Sequence, residues 1–516
     1  MEADKPFDST ALADTILRSS DDVHFYVLGA FLRYVSPTFC DMFSLSRGSA
    51  TDTNEIKDGY PVIPLPEDRE TIHYMLSIIH PYIEEPKLDD SRLLCKVWKM
   101  AEKYGMETVV GKLQKHLLGD QWMKDQPHKV FAIAIIGGWK DGAEKAKQTL
   151  ASWPEIPYSD LFEDISGADY YELFEYRSRR ASTEEGQAEH DNNVTSISAE
   201  DNLLVDSTHS TSSGVGISEL FRNSCSKTDI ILRTLDGVDF CVSRPFLQLF
   251  SSAFDEPFSN ANEESKDGKT VVRVADYSKA LRYFLLALHK PMEKLPVENP
   301  SLIADICMVA RKYRMPIVEA RLKDQLATSS SLVQKPLGVY AIATALGWGD
   351  VAKSAAKNTL NAPLEKAVTC IPELRLITGA DLFNLIDYRI KCTKAACRVL
   401  ESSELHQTYG PDSLASHLLE PEFRNGRLKP TIISCNCTCP EAYSSISVEK
   451  ELNKCPRGST YTNMFARAMD VLSSSLDETH YWSVSSVAGL FECCRKVAEA
   501  IEEAVDDVVI PPSASP

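Results

Sequence analysis

The sequence predicts a helix-dominated α+β protein built from two copies of one unit. Three observations lead there. First, residues 14–43 align with 229–258 at an offset of 215, with thirteen of 30 positions identical. Chance gives roughly two at ordinary residue frequencies. Second, each copy opens on two short β-rich runs around turn residues. Third, apolar residues between Phe31 and Phe43 recur three and four apart, the spacing of a helical face, and the remainder of the copy beyond residue 90 reads as helical.

The elements follow in order. In copy one Asp14–Arg18 is β-rich, and Val23–Val27 alternates apolar with polar around Ser19-Ser-Asp-Asp22. In copy two the turn is Leu235-Asp236-Gly237, and Asp-Gly is a strong hairpin signal. Phe31, Leu32, Val35, Phe39, Met42 and Phe43 then lie on a helical face, and Phe25, Phe31, Phe39 and Phe43 are expected in the core. Ser36-Pro37 reads as a break and restart, with Ser at the N-cap and Pro at N1. A short strand follows at 61–65 or 270–274, then a helix at 67–79 or 277–289. The rest of copy one reads as helices at 90–104, 106–118, 126–137, 141–151 and 167–180, with Gly105 as a C′ residue.

The repeat continues downstream. Ala101-Glu-Lys-Tyr-Gly-Met106 matches Ala310-Arg-Lys-Tyr-Arg-Met315. Val130–Trp139 matches Val339–Trp348, and Tyr176-Arg177 matches Tyr388-Arg389. A unit of about 165 residues is too long for a solenoid repeat, so this is a duplicated domain. The chain divides into 1–177, a linker at 178–226, 227–402, and a C-terminal region at 403–516. The linker is rich in Ser, Thr, Asn and acids, a composition that buries too little apolar surface to offset ordering entropy.

The string Asp14-x-Ile-Leu-Arg-Ser-Ser-Asp-x-Val-x-Phe-x-Val, then Phe31-Leu and Ser36-Pro-x-Phe-x-Asp-Met-Phe43, resembles a BTB/POZ domain. It is most similar to the type abundant in mushroom-forming fungi, where Ala-x-Lys-Tyr-x-Met and Tyr-Ala-Ile-Ala recur after the core. The resemblance covers roughly 14–180 and 228–400. It implies a protein–protein interaction module without catalytic activity. Members dimerise, bind cullin-3 as ubiquitin-ligase adaptors, recruit transcriptional corepressors or assemble channels. The main expectation is a tandem scaffold for homo- or hetero-association. The alternatives are a cullin-3 substrate adaptor and a transcriptional co-regulator without direct DNA binding.

The resemblance also implies site residues. Dimeric members use an Asp on the first strand and a basic residue before the first core helix. Asp14 and Asp229 are kept, but copy one has Leu28-Gly29 where many members carry His-Lys, and copy two has Ser243-Arg244. Asp14, Arg18, Asp229, Arg233 and Arg244 are therefore the candidate interaction residues. The hydrophobic-x-Glu motif usual in cullin-3 adaptors is not evident after Phe43 or Phe258. The two units can pair within one chain or stay separate, since a linker of about 49 residues reaches ~35–40 Å.

No catalytic constellation is found: Gly-x-Ser-x-Gly, His-Glu-x-x-His and a Walker loop are all missing. Gly268-Lys269-Thr270 reads as a strand cap. His80 and His289 fall at matching places and read as helix C-terminal caps, where a cationic imidazole suits the dipole. No cofactor is expected. The candidate metal ligands are Cys435, Cys437, Cys439 and Cys455, as a zinc site. Structural zinc prefers Cys-x₂₋₄-Cys pairs, so the two-residue spacing before Pro440 fits poorly, and the plainer reading is reduced thiols. Val487, Leu490, Phe491, Cys494, Val497, Ala498, Ile501, Val505 and Val508 form the stripe of an amphipathic helix of about six turns, expected to pack on the second unit. Arg179-Arg180-Ala181-Ser182 resembles a basophilic kinase site, making Ser182 the candidate modification.

The net charge of -19 disfavours nucleic acid and anionic lipid as partners. The acidic N-terminus and the lack of an apolar core after it lead to cytosol or nucleus as the expected compartment, with reduced thiols.

Overall fold

In the computed structural model each unit opens on the expected hairpin. The structure describes residues 1–45, 55–80, 89–186, 228–254, 265–266, 268–290, 293–297, 299–403, 448–475 and 484–513. The chain divides into two compact units, the first over Met1–Ala188 and the second over Glu189–Pro516 apart from Thr378–Ala380, which groups with the first. The architecture is α+β and helix-dominated, with two small four-stranded mixed sheets.

In unit one β1 (Thr15–Arg18) pairs antiparallel with β2 (His24–Val27), from Thr15 opposite Val27 to Arg18 opposite His24. α1 (Gly29–Val35) and α2 (Pro37–Leu45) follow, and the chain returns as β3 (Ile56–Lys57) and β4 (Tyr60–Pro64). β4 lies parallel to β1, giving the order β2-β1-β4-β3. Sequence reading found β4 but not β3. Their turn is Asp58-Gly59, with φ of 52° and 82°, the paired positive values that a type I′ hairpin needs. α3 (Arg69–Ile79), α4 (Ser91–Lys103), α5 (Glu107–Leu117), α6 (Asp120–Asp125), α7 (Pro127–Ile136), α8 (Lys140–Leu150) and α9 (Gly167–Gly186) complete the unit. α6 is a short helix that the apolar periodicity did not mark.

The second unit repeats this with β5 (Ile230–Arg233), β6 (Asp239–Val242), α10 (Arg244–Phe250), β7 (Ser265–Lys266) and β8 (Lys269–Arg273), in the order β6-β5-β8-β7. Gly268, at φ 75°, sits in the β7–β8 turn, so Gly268-Lys269-Thr270 belongs to a hairpin. The helices are α11 (Ser278–His289), α12 (Pro300–Lys312), α13 (Pro316–Ala327), α14 (Ser331–Gln334), α15 (Pro336–Ala345), α16 (Gly349–Thr359), α17 (Leu364–Ala367) and α18 (Gly379–Ser402). Where unit one restarts a helix at Ser36-Pro37, unit two has Ser252 in place of the proline and a 3-10 turn at Ser252–Phe254, and the residues that follow it lie outside the described ones. The appendage is α19 (Val448–Lys454), α20 (Gly458–Ser475) and α21 (Val484–Asp506).

Shared motifs have shared physical roles. Gly138 and Gly347 take φ of 61° and 74° after α7 and α15, and the next Trp N–H reaches back to Ala134 or Ala343 O at 2.7 Å. That closes the helix end in a Schellman-type turn. Arg177 donates to Trp153 O at 2.5 Å and Pro154 O at 3.3 Å, after α8. Arg389 donates to Thr359 O and to Ala362 O, the latter at 2.7 Å, after α16. The arginine of the Tyr-Arg motif therefore satisfies carbonyls at the end of the helix and in the turn that follows it. Burial lowers the Arg389 pKa to about 10.

The Ala-x-Lys-Tyr-x-Met motif locks α4 to the sheet and to the start of α2. Tyr104 donates to Glu67 at 3.0 Å, and Lys103 reaches the same carboxylate at 2.8 Å. The Tyr104 ring stacks on Phe39 at 4.7 Å, and Ser36 Oγ donates to Tyr104 O at 2.5 Å. In unit two Tyr313 and Lys312 hold Asp276 at 2.6 and 2.9 Å, and Tyr313 stacks on Phe254 at 4.3 Å.

Four expectations need correction. The linker was to begin at 178, but α9 runs to Gly186, carried by an i,i+4 pair of Glu175 with Arg179 at 2.8 Å. The remaining linker positions lie outside the described residues. Phe25, Phe39 and Phe43 are buried, but Phe31 is half-exposed because α1 turns only Leu32 fully inward. His289 ends α11 as expected, yet burial lowers its pKa and Phe246 stacks on it at 4.4 Å. Burial there works against the cationic form that a helix cap would use. Lastly, β2 alternates in sequence but is buried along its whole length. The N-terminal segment covers the outer face: Ala3 N donates to His24 O, His24 N to Met1 O and Tyr26 N to Phe7 O, each at 2.9 Å.

Candidate interaction surfaces

The five interaction residues expected from sequence belong to two local arrangements. Asp14 ends the approach to β1, and its Oδ1 accepts from Gly29 N, the first residue of α1, at 2.5 Å. Asp229 does the same for Arg244 N at the start of α10, at 2.7 Å. A carboxylate here satisfies a helix N–H and complements the positive end of the dipole. Each aspartate thus fixes the first helix to the first strand within its own unit. This also accounts for Gly29: a Cβ there would lie 3.1 Å from Asp14 Oδ1 and 3.0 Å from Thr15 Oγ1.

The second arrangement lies at the far end of the strand. Arg18 pairs with Glu55 at 2.6 Å and Asp22 at 4.0 Å. Arg233 pairs with Asp239, directly opposite on β6, at 2.8 Å, and Lys266 holds the same carboxylate at 2.7 Å. The hydrogen bond from Arg233 leads in lowering the Asp239 pKa to about 2. Arg18 and Arg233 thus meet acids of their own unit. Arg244 is exposed at the start of α10.

The first helices carry a feature that the core-seeking pattern passed over. Leu32 and Leu247 are 1% and 0% exposed, whereas Tyr34 and Leu249, at matching positions two residues on, are 88% and 81% exposed. Phe250 is also exposed beside Leu249. The signal was present in sequence: both positions hold large apolar residues off the buried stripe, and the offset of 215 equates them.

The helix after each sheet, α3 or α11, is tied to the opening hairpin turn. Asp21 Oδ1 accepts from Arg69 N at 2.8 Å, and Asp236 accepts from Ser278 N at 3.0 Å. The hairpin-turn aspartate therefore caps the helix that follows the sheet in both units. A hydrogen bond from Ser19 leads in lowering the Asp21 pKa. For Asp236 burial acts upward, but hydrogen bonds from Ser278 and Thr234 outweigh it and the pKa falls.

Cys435, Cys437 and Cys439 lie outside the described residues, as do the segments searched for the cullin-3 motif, 46–54 and 259–264. Cys455 is half-buried after α19, and burial raises its pKa. Among the described residues no group of His, Cys, Asp and Glu could hold a metal ion. Ser182 falls in the last turns of α9, and its side chain lies outside the described residues. Among the described residues no helix is long and apolar enough to cross a membrane. No family model matches the chain, and no curated protein matches it.

Proposed function

We propose that this chain is a non-catalytic scaffold that joins proteins through the first helices of its two units, α1 and α10. The exposed Tyr34 and Leu249 at one equivalent position carry this reading. A large apolar side chain in water gains free energy on burial, about 1.5–3 kcal/mol for a residue of this size. Its recurrence in both copies points to a shared use, and Tyr is a frequent anchor at protein interfaces. Asp14 and Asp229 support the reading indirectly, because a docking helix is more effective when its position is fixed beforehand. The BTB/POZ resemblance supplies the same expectation from the residues of the hairpin and first helix.

The test is association. Light scattering of the full chain over a range of concentrations is expected to show assembly beyond one chain. Tyr34→Asp with Leu249→Asp is expected to weaken it about tenfold or more, at 1–2 kcal/mol for each buried anchor lost. Unchanged association with both substitutions in place would refute the assignment of these helices.

A further inference from the structure

The repeated unit has no copy of the C-terminal helices, and between two of them, α20 and α21, lies an open groove of about 520 Å³. Gly458 on α20 and Cys494 and Ala498 on α21 line it with small side chains. From Phe491 to Asp506 the lining of α21 runs about four turns, or ~22 Å. Phe491 stands at the start of that stretch. It is 51% exposed, with its ring T-shaped to Phe465 at 5.7 Å. The rim is acidic: Glu499, Glu502, Glu503 and Asp506 line the groove, and among the described residues Arg495 is the one cation that does. Arg495 is already held by Glu492 and Glu499 at 2.6 and 2.5 Å, and Glu502 meets Arg457 at 2.9 Å. Even so, Glu499 and Asp506 keep 55% and 56% of their side-chain surface in water, and Glu503 is exposed.

We propose that this groove is a docking site for a basic amphipathic helix of a partner protein. Its shape selects a helix. A trough several turns long, with small residues along it, receives apolar anchors spaced three and four apart on a partner helix. An exposed aromatic beside it supplies the large apolar contact around which interface energy concentrates. Its charge selects the sign. Carboxylates on the rim attract Lys and Arg flanking those anchors and disfavour partners of like charge. The same field sets aside two other occupants. A second α21 carries five carboxylates against two cations over Val484–Asp506 and is repelled, and so is an anionic lipid surface. The groove shares no residue with α1 or α10, so its partner is additional to those joined there.

Fluorescence anisotropy with the full chain tests this. The probe is a labelled helical peptide with leucine on one face and lysine on the other, and the control peptide has glutamate for lysine. The basic peptide is expected to bind, more weakly as salt is raised, and the acidic one not to bind. Phe491→Ala is expected to weaken binding about tenfold or more. Glu499→Gln together with Glu503→Gln is expected to do the same. These two exposed positions face no core, so that variant keeps α21 intact, and unchanged hydrogen exchange at Ile501 and Val505 verifies it. Glu102→Gln with Glu107→Gln, an equal charge change on exposed residues of unit one, is expected to leave binding unchanged. No binding of the basic peptide, or equal binding of the acidic one, would overturn the proposal. So would equal loss in the unit-one variant, which would assign binding to the net charge of -19. A mass by light scattering, without peptide, that falls on Phe491→Ala would give the groove to a second copy and overturn it too.

Discussion

Single residues show where a shared motif is carried out well and where it is not. The turn after α4 and its counterpart after α12 both need a left-handed residue, with φ of 63° at Gly105 and 53° at Arg314. Glycine adopts that conformation freely, whereas a side chain raises its energy by about 1–2 kcal/mol. Arg314→Gly is expected to raise stability by about 1 kcal/mol in thermal or urea unfolding. Gly105→Ala is expected to lower it by a similar amount or more, because its Cβ would lie 3.1 Å from Pro37 Cγ. His128 gives a pH dependence. It is buried, and desolvation lowers its pKa to about 4. The unfolded chain, near the ordinary 6.5, binds the proton first, so stability is full above about 6.5 and falls as pH drops towards 4. The linked loss is at most ~3 kcal/mol, and His128→Gln is expected to flatten the stability profile across that window. Sequence showed the conserved spacing of Gly105 and Arg314, but not that His128 would be enclosed, since its burial depends on α7 being covered on every side.

At the scale of elements, most helices were legible because each carries an apolar stripe or an end signal. α7 is apolar all round and buried, and its Gly138-Trp139 ending is visible in both copies. The misses include elements with little apolar pattern, β3, two residues long, and α6, six residues long, and also α19 and α20 of the appendage, which no element expectation covered. Of the C-terminal stripe, Cys494, Val497, Ile501 and Val505 are buried, Ala498 and Val508 half-buried and Phe491 exposed, and the side chains of Val487 and Leu490 lie outside the described residues. The expected packing of this helix on unit two is seen in Lys357, which pairs with Asp506 of α21, while Arg457, between α19 and α20, holds Glu502 of the same helix at 2.9 Å. α20 and α21 approach closely at Gly458, where a Cβ would lie 2.2 Å from Ala498 O. Gly458→Ala is therefore expected to push the helices apart and lower stability by about 1–3 kcal/mol, read by unfolding. The same variant is expected to speed hydrogen exchange in α21 while the β5–β6 ladder stays protected.

For the molecule as a whole, duplication is the organising fact, and the two copies keep structure more strictly than sequence. Glu67 and Asp276 differ by a methylene, yet each is held by the Lys-Tyr pair of its own unit. Removing the pair's hydroxyl leaves a carboxylate short of a donor. Tyr313→Phe is expected to cost about 1–3 kcal/mol, and Tyr104→Phe a similar amount, each seen as a lower unfolding midpoint. Equal losses would indicate that both copies rely on this lock. The sequence by itself determined the duplication, the α+β class, the opening hairpins and the longer helices of the repeated unit, because these follow from local periodicity, turn chemistry and self-comparison. Only the tertiary structure decided what the charged candidates do. Asp14 and Asp229 read as interface residues in the sequence, and within each unit their carboxylates also accept from the amides of Gly29 and Arg244, fifteen positions away in the chain. It also decided that Tyr34 and Leu249 face water while Leu32 and Leu247 do not. The physical reason is common to both cases. Whether a polar group finds a partner, and which face of a short helix is covered, depend on atoms distant in sequence, which no local pattern records.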